Sequence, residues 1–277
     1  MKRIVTIQDI SCVGKCSLTV ALPIISAMGV EAAILPTAVL STHTMFQNFT
    51  CKDLTDQIKP IAAHWKKENF AFDAVYTGYL GSFEQIDLMK EFFDQFKTDT
   101  NILFVDPAMA DNGKLYPAFD EAFAKHMATL CGKADIIVPN ITEAAFMTGM
   151  EYHTEYDEAY VKEMLQKLCD LGAKISILTG VSFEDGKTGV MGYDKEKKEY
   201  HYYCHEKLPV SYHGTGDIFS STCIGAMMNG LDWKESIKRA ADYTAECIRL
   251  TLEDPAKPWY GVNFEQAIPY LVERIKK

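Results

Sequence analysis

The segment "HGTGDIF" places a carboxylate, Asp217, directly behind Gly214, Thr215 and Gly216 and in front of an apolar helical run. Two glycines let the backbone turn tightly and approach a ligand, and a helix that starts about Asp217 presents N–H groups and a partial positive charge to an anion. Read locally, Asp217 is a first-turn or N-cap carboxylate that stabilises its own helix by about 0.5–2 kcal/mol; the alternative is chemistry beside a bound anion. Other polar clusters also follow apolar runs: "STHT" with Ser41, His43 and Thr44, "DPAMADNGKLYP" with Asp106, Asp111 and Tyr116, "PNITE" with Asn140 and Glu143, and "LTG" with Thr179 and Gly180. Taken singly, these are a structural histidine, turn-forming Asp and Asn residues, and a helix-capping pair.

The elements that must position these groups are short branched runs alternating with longer amphipathic ones, the pattern of a parallel sheet wrapped by helices. Strands are predicted at residues 3–7, 32–40, 74–78, 101–106, 134–139 and 174–180, and helices at 51–69, 82–96 and 156–172. Residues 188–206 alternate around a turn-prone "YDKEKKEY" and read as an antiparallel hairpin, before three closing helices at 217–229, 233–252 and 263–275. The stretch 106–119 carries Gly, Asn, Asp and two Pro, which argue against regular structure and make it a candidate lid at a strand end. No repeat or linker interrupts the 277 residues, so one domain is expected.

A formal net charge of −10 disfavours nucleic acid and anionic membrane surfaces as partners. Neither a signal peptide nor a membrane span is expected, since Lys15 and Pro23 break the early apolar stretch. Eight scattered Cys, without a CxxC, read as reduced thiols of a cytoplasmic protein.

Seven motifs, "TIQDISCVGKCS", "LSTHT", "TGYLGS", "DPAMAD", "VPNITEA", "LTG" and "GTGD", occur in an order that resembles the ATP-dependent kinases of the ribokinase superfamily and, within it, the pyridoxal (vitamin B6) kinases. The resemblance implies a single-domain ribokinase-like α/β three-layer sandwich, with a mostly parallel central sheet and helices on both faces. It implies ATP-dependent phosphorylation of the 5′-hydroxymethyl group of a B6 vitamer. Asp217 is then the general base, and Gly214, Thr215 and Gly216 are the anion hole for the phosphoryl group. Asn140 and Glu143 hold Mg²⁺ through waters; Asp106, Asp111, Tyr116, Thr179 and Gly180 serve ATP; Ser41, His43, Thr44 and Tyr79 line the vitamer pocket. Phosphoryl transfer needs positioning and charge neutralisation more than covalent help, which suits such a set. A K⁺ requirement and a homodimer are further implications. Neither a Walker-type GxxxxGK[ST] loop nor the paired HRD and DFG signatures of protein kinases occurs.

The chain departs from the pyridoxal kinase pattern at the first strand, where Asp9 stands in place of the usual Ser of "IQS". A carboxylate there could pair with a protonated ring nitrogen or an aminomethyl group and so bias the enzyme toward pyridoxamine or a related cationic ring. The alternatives are a hydroxymethylpyrimidine kinase, whose Gly-rich segment after the first strand is replaced here by "QDISCVGKCS", and a non-catalytic vitamer-binding protein.

Overall fold

The branched run after Met1 and Lys2 forms β1 (Arg3–Val13), whose residues 4–9 are all buried, as in a strand covered on both faces. In the computed structural model, which describes residues 1–275, the chain divides into two compact units, Met1–Tyr76 with Leu208 onward, and Thr77–Lys207. In the first unit β1 is followed by α1 (Leu18–Ala27), β2 (Glu31–Thr42), β3 (Cys51–Asp53), α2 (Thr55–Lys67) and β4 (Ala74–Thr77). The strand order is β4-β1-β2-β3, with β1 and β2 parallel and β3 antiparallel to β2. The β1/β2 register slips between Gln8 and Ile10, so that Thr37 and Ala38 stand opposite Asp9 alone. Irregularities of this kind re-aim a side chain.

The second unit runs α3 (Phe83–Phe96), β5 (Ile102–Val105), β6 (Ala110–Asp111), β7 (Lys114–Leu115), α4 (Glu121–Cys131), β8 (Ile136–Ile137), α5 (Ile141–Thr148), α6 (Glu158–Asp170), β9 (Ile175–Val181), β10 (Lys187–Asp194) and β11 (Glu199–Glu206). Strands β5, β8 and β9 are parallel, and β10 and β11 add an antiparallel hairpin to β9. The chain then returns to the first unit as α7 (Thr215–Met228), α8 (Trp233–Glu253) and α9 (Phe264–Ile275). These pack with α1 around Val20, Ile24, Ile218, Tyr243, Phe264 and Leu271.

The α/β class, the mostly parallel strands and the hairpin agree with the sequence pattern. Four local expectations need correction. Residues 51–53 are strand rather than helix, because they pair with Ala38–Leu40 and Asp53 takes the Thr55 N–H at 2.8 Å to start α2. The stretch 106–119 contains the two-residue ladder of β6 and β7 turned by Asn112 and Gly113, both at positive φ. Strand β2 continues through Ser41, which therefore lies in the strand and not past it. Helix α7 begins at Thr215, two residues before Asp217.

One carboxylate ties the strands of the second unit together. Asp135 is 15 % exposed and takes the Leu103 N–H at 2.8 Å, the Lys174 ammonium at 2.7 Å and the Lys97 ammonium. Burial works against its charge, but the Leu103 N–H and the two lysines outweigh that and hold it below the usual carboxylate range. A carboxyl depressed in the folded state stabilises fully above its unfolded value and loses that contribution as pH falls through the folded one. Asp135→Asn should therefore cost about 2–3 kcal/mol at neutral pH in urea denaturation, and the difference from wild type should shrink as the pH drops below about 4.

Candidate active site

In the first unit the turn before α7 is built on a close approach. Gly214 is left-handed (φ 83°), and a Cβ on it would lie 1.8 Å from the Lys15 carbonyl oxygen, so no side chain fits there. Thr215 Oγ1 donates to the Tyr212 carbonyl at 3.1 Å, and Thr215, Gly216 and Asp217 make the first turn of a 14-residue helix. The N–H groups of such a turn precede the helix's own ladder and face an incoming anion.

The half-buried Asp217 carboxylate accepts the Ser17 backbone N–H at 2.9 Å through Oδ2. Ser17 occupies the N-cap of α1 yet makes no cap bond, forgoing about 1 kcal/mol. Its backbone sits at φ 51°, ψ −137°, a sparsely populated region that costs a non-glycine about 1–3 kcal/mol. Its hydroxyl donates instead to Asp9 Oδ1 at 2.7 Å, and Ser11 Oγ donates to Asp9 Oδ2 at 3.2 Å. Asp9 is 5 % exposed; burial pushes its carboxyl up, opposed by the hydroxyls of Ser17 and Ser11. The Cys16 thiol beside them is pushed up to about 12 by burial and then by the Asp217 and Asp9 charges, so it stays protonated.

His43 is buried, with Nε2 at 3.0 Å from the Tyr260 carbonyl and Nδ1 accepting the Met45 N–H at 3.3 Å. A carbonyl only accepts, so the proton is on Nε2. Burial lowers the His43 pKa and keeps the ring neutral. Its ring lies 4.6 Å from His213 and 4.8 Å from Phe46, which packs in turn on Trp259 at 4.5 Å. Burial, then His43, takes His213 down to about 4. Ser41 and Thr44 are exposed; Ser41 Oγ accepts the Thr50 N–H at 2.9 Å and closes the loop that carries His43.

In the second unit Asn140 and Glu143 form a complete capping box on α5, each side chain taking the other's N–H at 2.9 Å. The pair does more than cap. Glu143 Oε1 also accepts the Met109 N–H at 3.0 Å, and Asn140 Nδ2 donates to the Ala110 carbonyl at 2.8 Å, fixing the loop after β5. Glu143 is buried, and burial followed by the Asp106 charge raises its pKa well above the usual carboxylate range. Two buried carboxylates that act on each other at the strand ends fit a site for a divalent metal. Because the Glu143 oxygens already accept backbone N–H groups, contact through water suits them better than direct ligation. Among the described residues no three His, Cys, Asp or Glu side chains converge as a metal cage.

Around that pair, the buried Asp106 donates its N–H to the Thr77 carbonyl at 2.9 Å, and the exposed Asp111 takes the Asn112 N–H at 2.8 Å. The Tyr116 N–H reaches the Met109 carbonyl at 2.9 Å, and Phe119 lies 5.6 Å from Tyr79 and 6.5 Å from Tyr116. Thr179 bridges to Asn140, and Gly180 is at φ 73° with its carbonyl accepting from Tyr156 at 3.4 Å. Asp106, Asn140 and Thr179 thus stand at the C-terminal ends of β5, β8 and β9, where parallel sheets take ligands.

Sequence reasoning missed Ser17, Ser11, His213 and Tyr260. Ser17 had a signal, a serine directly before an apolar helical run, but that signal reads as a cap. Tyr260 acts through a backbone carbonyl and left no trace in the sequence pattern.

Residues 21–258 match the phosphomethylpyrimidine kinase family. A Bacteroides thetaiotaomicron protein that carries the same name and was crystallised with pyridoxal is 38 % identical with a TM-score of 0.92, covering 98 % of this chain and 95 % of that one. The Lactobacillus plantarum pyridoxal kinase structure is 29 % identical with a TM-score of 0.91, covering 99 % of this chain and 97 % of that one. The pyridoxal kinase PdxY of Aliivibrio fischeri is 28 % identical over 260 residues, 86 % of each chain. With a carboxylate behind a glycine turn at a helix start, a strand-end carboxylate pair, and a family match across most of its length, this chain belongs to the phosphomethylpyrimidine kinase family.

Proposed function

We propose that the protein transfers the γ-phosphoryl group of ATP to the 5′-hydroxymethyl group of a B6 vitamer, with the whole chain acting as one kinase domain. The observation that carries this reading is the Asp217 carboxylate on the first turn of α7, anchored by the Ser17 N–H immediately behind the Gly214 turn. The relatives named as pyridoxal kinases, and the 38 % identical protein crystallised with pyridoxal, support the substrate class.

In this reading Asp217 accepts the hydroxyl proton as the vitamer oxygen bonds to the γ-phosphorus and the bond to the β-phosphate oxygen breaks, releasing ADP. The N–H groups of Gly214, Thr215 and Gly216 receive the transferring oxygens. Asn140 and Glu143 would hold Mg²⁺ through waters, and the ion would neutralise phosphate charge. Asp106, Asp111, Tyr116, Thr179 and Gly180 serve the nucleotide, and Ser41, His43, Thr44 and Tyr79 the vitamer. A K⁺ requirement, a homodimer and a cytoplasmic location complete the reading. No described helix is long and apolar enough to cross a membrane.

Asp9 sharpens the substrate choice. A buried carboxylate held by two hydroxyls, with no Lys or Arg paired to it among the described residues, gains from a positively charged ligand, so cationic vitamers are favoured.

ADP release measured side by side with pyridoxal, pyridoxine, pyridoxamine and hydroxymethylpyrimidine should give turnover with at least one B6 vitamer. Turnover of hydroxymethylpyrimidine alone would move the substrate to the pyrimidine, and silence on all four would overturn the kinase reading. Asp9→Ser should lower the kcat/KM of pyridoxamine relative to pyridoxine by about tenfold, the loss of roughly one charge-assisted contact; an unchanged ratio would remove Asp9 from substrate choice.

A further inference from the structure

Three features of the Asp9–Ser17–Asp217 cluster are unaccounted for by capping or packing. Ser17 stands where a serine ordinarily accepts a bond from its own helix, yet its hydroxyl points the other way and donates to Asp9. It takes a positive φ that favours glycine, although it is not glycine. The backbone N–H exposed by that unusual conformation is the one that reaches Asp217 Oδ2.

The anchoring is one-directional. Asp9 sits at the register slip between β1 and β2, is 5 % exposed, and has its second oxygen occupied by the Ser11 hydroxyl. Its other oxygen is thereby aimed at Ser17. Lys15, two residues earlier, is also immobilised: its carbonyl abuts Gly214, a Cβ on Gly261 would lie 2.5 Å from its Cβ, and its ammonium pairs with Glu265 at 2.6 Å. A segment gripped on both sides keeps a conformation it would otherwise leave.

We propose that Ser17 is a positioning residue for the catalytic base: Asp9 holds the Ser17 hydroxyl, the tether keeps the backbone at positive φ, and the Ser17 N–H fixes the Asp217 carboxylate in the orientation that receives the substrate proton. This rests on the kinase reading above. Asp9 therefore acts on the chemical step through Ser17, in addition to any effect on vitamer choice. Misplacing a general base by a fraction of an ångström lowers the chemical step while leaving nucleotide binding in place.

The test compares substitutions that separate the tether from the N–H. Ser17→Ala removes the tether and leaves a residue that relaxes toward negative φ, taking the N–H away from Asp217. Ser17→Gly removes the same hydroxyl but tolerates positive φ and keeps the N–H available. Steady-state kinetics with ATP and the best vitamer should show kcat falling about thirtyfold or more in Ser17→Ala and only about threefold in Ser17→Gly, with the KM for ATP within about twofold in both. Asp9→Ala should lower kcat as Ser17→Ala does in the wild-type background and lower kcat little further once Ser17 is Gly, because the tether it supplies is no longer needed; its effect on the vitamer KM should be the same in both backgrounds. Thermal melts of each variant identify any loss that comes from unfolding, and the Ser17→Gly background supplies the comparison where Ser17→Ala is too unstable. Equal losses in Ser17→Ala and Ser17→Gly would overturn the proposal, since the hydroxyl would then act directly. A loss of kcat in Asp9→Ala of the same size in both backgrounds would overturn it as well, since Asp9 would then act on the chemical step without Ser17. No vitamer turnover by the wild-type protein would sink the kinase reading itself, and the positioning role with it.

Discussion

The hydrogen bond from the Ser17 N–H to Asp217 requires that two distant pieces of chain, 200 residues apart, be brought to within van der Waals contact. That approach dictates much of the first unit. It makes Gly214 obligatory, because the Lys15 carbonyl occupies the space of its Cβ. It places the start of α7 against the start of α1, and the helices behind those starts share one core through Val20, Ile24 and Ile218. The packing free energy of that core is large and non-directional, of the order of 1.5–3 kcal/mol for each fully buried aliphatic side chain. It is enough to hold a local conformation that is unfavourable by itself.

The second unit solves a related problem with a buried carboxylate instead of a strained backbone. Glu143 is fixed by backbone N–H groups from its own helix start and from the loop after β5, and Asp106 adds a like charge beside it. The same residues that cap α5 therefore fix the loop and concentrate negative charge at the strand ends. Capping and metal binding are compatible uses of one pair: the geometry that satisfies the helix N-terminus also sets Glu143 within the field of a second buried carboxylate. The Asp135 cluster lies at the opposite ends of those strands, where it sets their relative register without entering the site.

Much of this was legible in the sequence. Hydrophobic periodicity located the strands and the long helices, and the Gly-Thr-Gly-Asp, Pro-Asn-Ile-Thr-Glu and Asp-Pro motifs located the loops that carry polar groups. What periodicity could not supply was any interaction made by the backbone. The β6/β7 pair was hidden because two ladder positions suffice to hold a turn-rich segment, and β3 was hidden because its three residues are exposed and only their pairing with β2 makes them strand. The role of Ser17 was hidden by its own residue type, since serine before a helix reads as a cap. His43 shows the same limit from another side. Its buried ring is committed to Tyr260 and His213, partners 217 and 170 residues away in the chain that no local window contains.

The central claim is that Asp217 carries the proton transfer of a phosphoryl-transfer reaction. A single-turnover experiment, with enzyme in excess over labelled ATP and a saturating vitamer, isolates that step from product release. For Asp217→Asn the account predicts a transfer rate lower by about a thousandfold or more, with ATP affinity by calorimetry unchanged. Transfer within about tenfold of the wild-type rate would contradict it, and would leave Asp217 as a helix-start carboxylate and nothing more.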